Sequence, residues 1–219
     1  MNSEFRFIEL VSNGASNRGR IVELPSGVDW PDYYGKPAPT DAYCSIYRFD
    51  AGLAEHVRRT GGVRGYRGAC KAAVLHFDFD GAGALEDVRR FIENICNDRL
   101  GIFIDNIQAF FSGNKGFHVL LQHPDIDAMP PGENVPEKIK KLAVKLAGRF
   151  STLDKMVYDK TRIFRVPNSR HGASNLFKIP LLAAELWTLD MAGIRRLAMK
   201  QRSMQDATEQ WIVEYRKAA

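Results

Sequence analysis

Six residues, Leu75-His76-Phe77-Asp78-Phe79-Asp80, restrict this chain more than any others. Side chains along a β-strand alternate between its faces, so Phe77 and Phe79 turn towards a core while His76, Asp78 and Asp80 share the opposite side. Two carboxylates held side by side repel each other and lose solvation when covered. Either that face stays in water, or a cation neutralises it and the strand is a metal platform. Gly81-Ala82-Gly83 then lets the chain leave the strand tightly. On this stretch alone both readings stand.

The chain has 219 residues and a formal charge of +5. That length buries a substantial core, as one domain or as two closely packed modules, without covalent staples. Cys44, Cys70 and Cys96 stand far apart with no Cys-x-x-Cys pair. Their spacing argues against a disulfide framework and against a zinc cluster, and suits a reducing cytoplasm. Residues Met1 to Phe5 lack a basic segment followed by an apolar run, and the longest apolar stretch, around Ile179 to Trp187, is too short to span a bilayer. A cytoplasmic protein without a membrane role is expected. Arg58, Arg59, Arg64, Arg67 and Lys71 crowd the segment before the acidic strand, with Tyr66 among them. This cluster suits phosphate contact and base stacking on DNA, or is a solvated basic loop.

Taken in order, residues 5–11 and 21–24 read as strands, and the proline, glycine and ring-rich stretch from Pro25 to Thr40 as an irregular segment packed by its aromatics. A strand over 42–49 and a helix over 51–59, ended by Gly61-Gly62, precede the basic segment. After Gly83, the spacing of Leu85, Val88, Ile92 and Ile95 predicts a helix with one buried face. Residues 107–111 and 117–121 read as a hairpin around Ser112-Gly113-Asn114-Lys115-Gly116. A three-residue loop with Gly116 left-handed sets Ser112 opposite His118, and a hydroxyl, an imidazole and a lysine then converge on glycine-flanked N–H groups as a phosphate cradle. The alternative is a plain turn. A proline-bearing loop over 124–136 leads to a helix that buries Ile139, Leu142, Ala143, Leu146 and Phe150 and leaves its lysines in water. Arg162 to Val166 reads as a strand, broken by Pro167-Asn168-Ser169. Its arginines, with Ser169 and His171, supply phosphate donors, unless they merely guard a sheet edge. The tail from Leu181 is mostly helical, with Thr188 or Asp190 as a cap and Trp211 and Tyr215 on a packing face.

In order and spacing these features resemble the archaeo-eukaryotic primase superfamily, which includes the small catalytic subunit of replicative primases and the primase-polymerases. Val74 to Asp80 looks like the family's first motif, two acids in a hydrophobic strand. Phe111 to His118 looks like its second, serine to histidine across a basic glycine turn. Asp154-Lys155-Met156-Val157-Tyr158, with Arg162, Phe164, Arg165 and Ser169, is similar to the acid-x-x-Val-Tyr and Arg-x-Phe-Arg pattern of primase-polymerases. The likeness covers about residues 74 to 171, and the first 70 residues match only loosely.

The resemblance implies an α/β (α+β) fold with an RRM-like sheet, helices packed on it and a helical C-terminal segment. It implies a primase-polymerase catalytic core over 1–180 and a helical C-terminal extension over 181–219 packed on the core. Asp78, Asp80 and Asp154 would bind two divalent ions, Mg²⁺ or Mn²⁺, with no zinc, and would carry the catalysis. Ser112, Asn114, Lys115, Gly116, His118, Arg162, Arg165, Ser169 and His171 would bind the nucleotide, and Arg58, Arg59, Arg64, Arg67 and Lys71 the DNA. The implied activity is template-directed nucleotidyl transfer that makes or extends short primers on single-stranded DNA from nucleoside triphosphates, with a helicase or accessory replication protein as partner. Primer-dependent gap filling and a non-catalytic single-strand or origin-binding module are the rival readings. Two departures stand out: Asn114-Lys115 replaces the basic pair frequent in replicative small subunits, and no Cys/His zinc module is visible. Tyr43, Tyr47 and Tyr158 are candidates to line a ribose pocket.

Overall fold

The computed structural model of the chain describes residues 5–24, 39–97, 102 and 104–203. In chain order the strands are β1 (Phe7–Val11), β2 (Arg20–Glu23), β3 (Tyr43–Ser45), β4 (Tyr47–Phe49), β5 (Cys70–Ala72), β6 (Leu75–Phe79), β7 (Ile107–Phe111), β8 (Phe117–Leu121), β9 (Ile163–Arg165) and β10 (Ile179–Pro180). The helices are α1 (Ala51–Thr60), α2 (Ala84–Asn97), α3 (Pro124–Asp127), α4 (Val135–Ala147), α5 (Ala183–Thr188) and α6 (Met191–Leu197). The fold is α+β, with antiparallel sheets and helices packed on them.

The acidic strand is the organising element. One sheet has the order β10-β7-β8-β6, with Asp78 opposite His118 and Phe79 opposite Phe117. On the outer side of β6, Phe79 bridges Leu153, the Asp154 N–H donates to the Asp78 carbonyl at 2.8 Å, and the Asp80 N–H donates to the Thr152 carbonyl at 2.8 Å. Segment 152–154 is thus a vestigial fifth strand. Counting it, β6-α2-β7-β8-α4 and this segment form a β-α-β-β-α-β arrangement, the expected RRM-like sheet, to which β10 adds an edge. The second sheet runs β5-β4-β1-β3-β9, with β2 on β1.

Apolar periodicity explains how β6 is held. Phe77 and Phe79 are fully buried against Phe91 of α2, with ring centroids 4.6 and 5.4 Å away, and Phe79 also meets Phe150 beyond α4 at 6.1 Å. Fully burying each such ring contributes about 1.5–3 kcal/mol, so the strand is anchored from its apolar side. The opposite face receives the second sheet through Phe164 of β9, which packs on His76 at 5.0 Å and His118 at 4.5 Å.

Several expectations change in detail. The predicted strand over 42–49 divides at Ile46, because β3 pairs with β1 and β9 while β4 pairs with β1 and β5. The hairpin pairs Phe111 with Phe117, so Ser112 faces Gly116 and His118 faces Phe110. Its left-handed glycine is Gly113, at φ +94°, rather than Gly116. Gly116 is needed for another reason: a Cβ there would lie 2.6 Å from the Phe79 carbonyl oxygen. Asp190 caps α6 by accepting from the Gly193 N–H at 2.7 Å. In the part of the C-terminal segment that is described, Leu186, Ile194 and Ala198 are buried in the core and Arg89 of α2 donates to the Leu186 and Leu189 carbonyls at 2.7 Å each. The ring-packed segment over 25–38 and the pair Trp211 and Tyr215 lie outside the described residues.

Candidate active site

Where the two sheets meet beside the end of β6, a cleft of about 210 Å³ is lined by Asp78, Asp80, Ser112, Asn114, Lys115, His118, Arg162, Phe164, Arg165 and His171, with Tyr43 and Ile163. The acids and the hairpin come from one sheet, Arg165 from the edge strand β9 of the other, and Arg162 from the residue just before it. Asp154 is cross-strand from Asp78 by the register of segment 152–154, which sets neighbouring side chains about 5 Å apart on one face. Asp78 therefore sits between His118 on β8 and Asp154, with Asp80 two residues along the same face.

The electrostatics follow from this crowding. Burial, then the nearby Asp80 and Asp154 carboxylates, push the Asp78 carboxyl up to about 7. His118 is buried, its Nε2 lies 3.8 Å from Asp78 Oδ1, and its Nδ1 has no hydrogen-bond partner. Burial, and behind it Lys178, His76 and Arg165, hold its pKa well below the usual 6.5, so the ring is neutral. A buried, neutral imidazole with an unmet ring nitrogen at a cleft wall is poised for a ligand atom.

The three acids are not drawn into one shell: among the described residues no group of three His, Cys, Asp or Glu side chains is arranged to hold a metal ion. The reason lies in local turns. Asp80 Oδ1 accepts from the Gly81 N–H at 3.0 Å and its Oδ2 lies 3.4 Å from Lys115 Nζ, while Asp154 Oδ1 accepts from the Met156 N–H at 2.7 Å. The donor set nonetheless suits a hard divalent cation, being three carboxylates on one face, one of them unable to keep its charge unaided.

The residues expected to donate to phosphate differ in how firmly they are set. Arg165 is buried; its Nη1 donates to Asp41 Oδ1 at 2.6 Å, its Nη2 to the Tyr43 hydroxyl at 2.6 Å, and its guanidinium stacks on Tyr43 at 4.7 Å. Burial works to raise the Asp41 carboxyl, but Arg165 and the Gly172 N–H outweigh it and hold the pKa below the ordinary range. Arg162 donates through Nη2 to the Met156 carbonyl at 2.6 Å, and its Nε lies 3.4 Å from Asp159 Oδ2 without hydrogen-bond alignment. The hairpin tip is braced by the Ser174 hydroxyl on the Gly113 carbonyl and by Arg195 of α6 on the Asn114 carbonyl.

Other expected residues fall elsewhere. Ser169 is fully buried, its hydroxyl accepting from the Ala42 N–H at 2.8 Å and donating to the Pro39 carbonyl at 3.0 Å, so it is not brought into the cleft. Tyr47 and Tyr158 are buried in the core, leaving Tyr43 as the tyrosine at the cleft. Arg58, Arg59, Arg64 and Arg67 are exposed and Lys71 is half-buried on β5. Tyr66 is not free to stack on bases, because its ring packs edge-on against Phe49 at 5.8 Å and its hydroxyl donates to Asp50 at 2.9 Å. Lys160 ties this basic loop to the Arg162 turn through the Gly68 carbonyl at 2.7 Å.

Two participants escaped the sequence reading. Asp41 gives no signal, since it is remote in sequence from the arginine it holds. Lys178 does give one: it is a lone cation inside the apolar run Leu176-Phe177-Lys178-Ile179-Pro180-Leu181-Leu182.

No family model matches the chain, and no curated protein does. Among solved structures it is similar to the polymerase domain of Ligase D from Mycobacterium tuberculosis, in complex with DNA, at 12% identity and a TM-score of 0.47, over 94% of this chain and 85% of that one. Among the described residues no helix is long and apolar enough to cross a membrane.

Proposed function

We propose that the chain is a metal-dependent, template-directed nucleotidyltransferase of the primase-polymerase type, acting on single-stranded DNA with nucleoside triphosphates. The observation that carries the reading is convergence. Residues from three separate sequence segments, acids from the first, hydroxyl, lysine and imidazole from the second and arginines from the third, line one cleft.

Asp78, Asp80 and Asp154 would hold Mg²⁺ or Mn²⁺, which when bound lowers the pKa of an attacking 3′-hydroxyl and steadies a leaving pyrophosphate. The chain's own groups supply position and charge. Arg165, fixed by Asp41 and Tyr43, meets a phosphate without reorganising, while Lys115 and Arg162 exchange carboxylate partners for phosphate oxygens. Neutral His118 donates one ring N–H to a phosphate oxygen, and the Ser112 hydroxyl another hydrogen bond. Single-stranded template would track the exposed arginines Arg58, Arg59, Arg64 and Arg67, which the Lys160 link couples to the cleft. The catalytic core would span 1–180, with 181–219 as a C-terminal extension whose Arg195 braces the hairpin, and a helicase or other replication protein would deliver the template.

The test supplies bare single-stranded DNA, and the same template with an annealed primer, with each nucleotide set and with Mg²⁺ or Mn²⁺. Products on the bare strand establish primer synthesis, and products only on the primed template assign extension or gap filling. Tight DNA binding with no metal-dependent incorporation, or wild-type incorporation by Asp78→Asn, overturns the two-metal reading.

A further inference from the structure

A lysine buried in a protein interior is costly unless something repays the lost hydration of its charge. Lys178 is 1% exposed. Its Nζ donates to the Arg165 carbonyl at 2.7 Å and otherwise faces the rings of Phe110, 4.8 Å to the centroid, and Phe164, 5.9 Å. Burial pushes its pKa down to about 7, with Cys44, Arg165 and Asp78 acting on it through space, and it acts in turn on His76 and His118. Among the described residues no carboxylate forms an ion pair with it. The backbone holds it firmly, since its N–H donates to the Ser169 carbonyl at 3.0 Å and its carbonyl accepts from the Asn168 N–H at 2.7 Å.

The position explains what the charge does. Phe164 forms cleft wall on one side and touches Lys178 on the other, and the strand whose carbonyl Lys178 holds is the one carrying Arg165. Aromatic walls exclude water, so a charge behind them is weakly screened and projects into the cleft more strongly than an exposed lysine would.

We propose that Lys178 is a positioning residue for polyphosphate: a buried cation that charges the cleft from behind Phe164 and His118 and sets the strand of Arg165. The inference rests on the nucleotidyltransferase reading and adds to it a residue that touches neither nucleotide nor metal. It also accounts for an amine whose burial loosens its hold on a proton, since a polyanion in the cleft favours the charged form.

The test compares wild type with Lys178→Met, which keeps length and removes charge, and Lys178→Gln, which keeps a donor for the Arg165 carbonyl but also removes charge. Binding of dATP, dAMP and inorganic tripolyphosphate is titrated without template in Mn²⁺ buffer, alongside thermal melting. Both variants are expected to lose about tenfold in affinity for dATP and tripolyphosphate and less than about twofold for dAMP. Lys178→Met is expected to melt at or above the wild-type temperature, because replacing a buried charge by an apolar chain of similar size is commonly neutral or stabilising. A purely structural lysine gives the opposite pattern, a lowered melting temperature with equal losses for all three ligands, and that result overturns the proposal. So does wild-type dATP affinity in Lys178→Gln, which also serves if Lys178→Met does not fold. Wild-type protein that binds neither dATP nor tripolyphosphate overturns the nucleotidyltransferase reading as well, whereas normal wild-type binding with unaffected variants overturns this inference alone.

Discussion

Replacing Asp78 by Asn separates what the acid costs from what it does. Burial and the Asp80 and Asp154 carboxylates raise its pKa from the ordinary 3.8 to about 7. The sign of the linkage follows. Below the unfolded value both states are protonated and the acid costs nothing; between 3.8 and 7 the unfolded chain ionises first, so stability falls as pH rises; above 7 the loss is complete. At about 1.4 kcal/mol per pKa unit the interval bounds the cost at about 4 kcal/mol, and the 26% exposure of the side chain reduces it to about 2 kcal/mol. In a chain of this size that is roughly 4–8 °C in melting temperature. Asp78→Asn is therefore expected to melt above wild type at pH 8 in chelator, and level with it near pH 4, while losing incorporation altogether. Added Mn²⁺ is expected to raise the wild-type melting temperature and leave the variant unmoved. The measurement is a thermal melt across pH with and without Mn²⁺. An Asn variant less stable than wild type at pH 8, or one stabilised equally by Mn²⁺, refutes the reasoning.

Three further outcomes test other parts of the site. Gly116→Ala forces the hairpin off β6, because the new methyl lies 2.6 Å from the Phe79 carbonyl and 2.9 Å from Asp80 Oδ1; incorporation should fall about a hundredfold, read by steady-state extension. Phe164→Ala removes the ring shared by His76 and His118, and should cost about 3–5 kcal/mol, seen as a lower denaturation midpoint in urea. Glu9→Ala strips the buried carboxylate that accepts from Arg18 Nε at 2.9 Å and the Gly19 N–H at 2.7 Å. Arg18 also holds the Thr161 carbonyl at 2.7 Å, beside Arg162, so a loss of about 3 kcal/mol should come with a raised nucleotide KM.

What was legible in the sequence is what local periodicity writes there. The alternation of β6, the apolar spacing of α2 and the hairpin signal at 112–116 each depend on neighbours a few residues apart, and each element forms. Short motifs single out Asp78, Asp80, Ser112, Asn114, Lys115, His118, Arg162 and Arg165, which line one cleft, while Asp154 is placed beside Asp78 by strand register. Turn geometry was harder: Gly113 and Gly116 are both compatible with a left-handed position, and the choice was made by the Phe111 to Phe117 register. Ser169 and Tyr66 had suitable chemistry for ligands, but packing turned the first onto Ala42 and Pro39 and the second onto Phe49 and Asp50. Those contacts join residues 16 to 130 positions apart, which no local pattern encodes.

The same distance in sequence explains how the cleft is charged. Arg165 is set by Tyr43, from the strand that pairs with its own, by Asp41 in the turn before that strand, and by a lysine thirteen residues downstream. A guanidinium with several fixed partners loses little freedom when a phosphate arrives, so its charge is available at once. Lys115 and Arg162 are different, because each lies near a carboxylate, Asp80 or Asp159, that a phosphate or a metal would have to displace on the proposed reading. On that reading the cleft would combine one rigid anion contact with two that exchange partners. That division ties nucleotide arrival to release of Asp80 from Lys115, since the lysine cannot serve the phosphate and its carboxylate equally. Binding of the nucleotide and of the cation should then be cooperative: each is expected to tighten the other in a titration of dATP at varied Mn²⁺ concentration, and independent binding would show that the Lys115 pair is not the link.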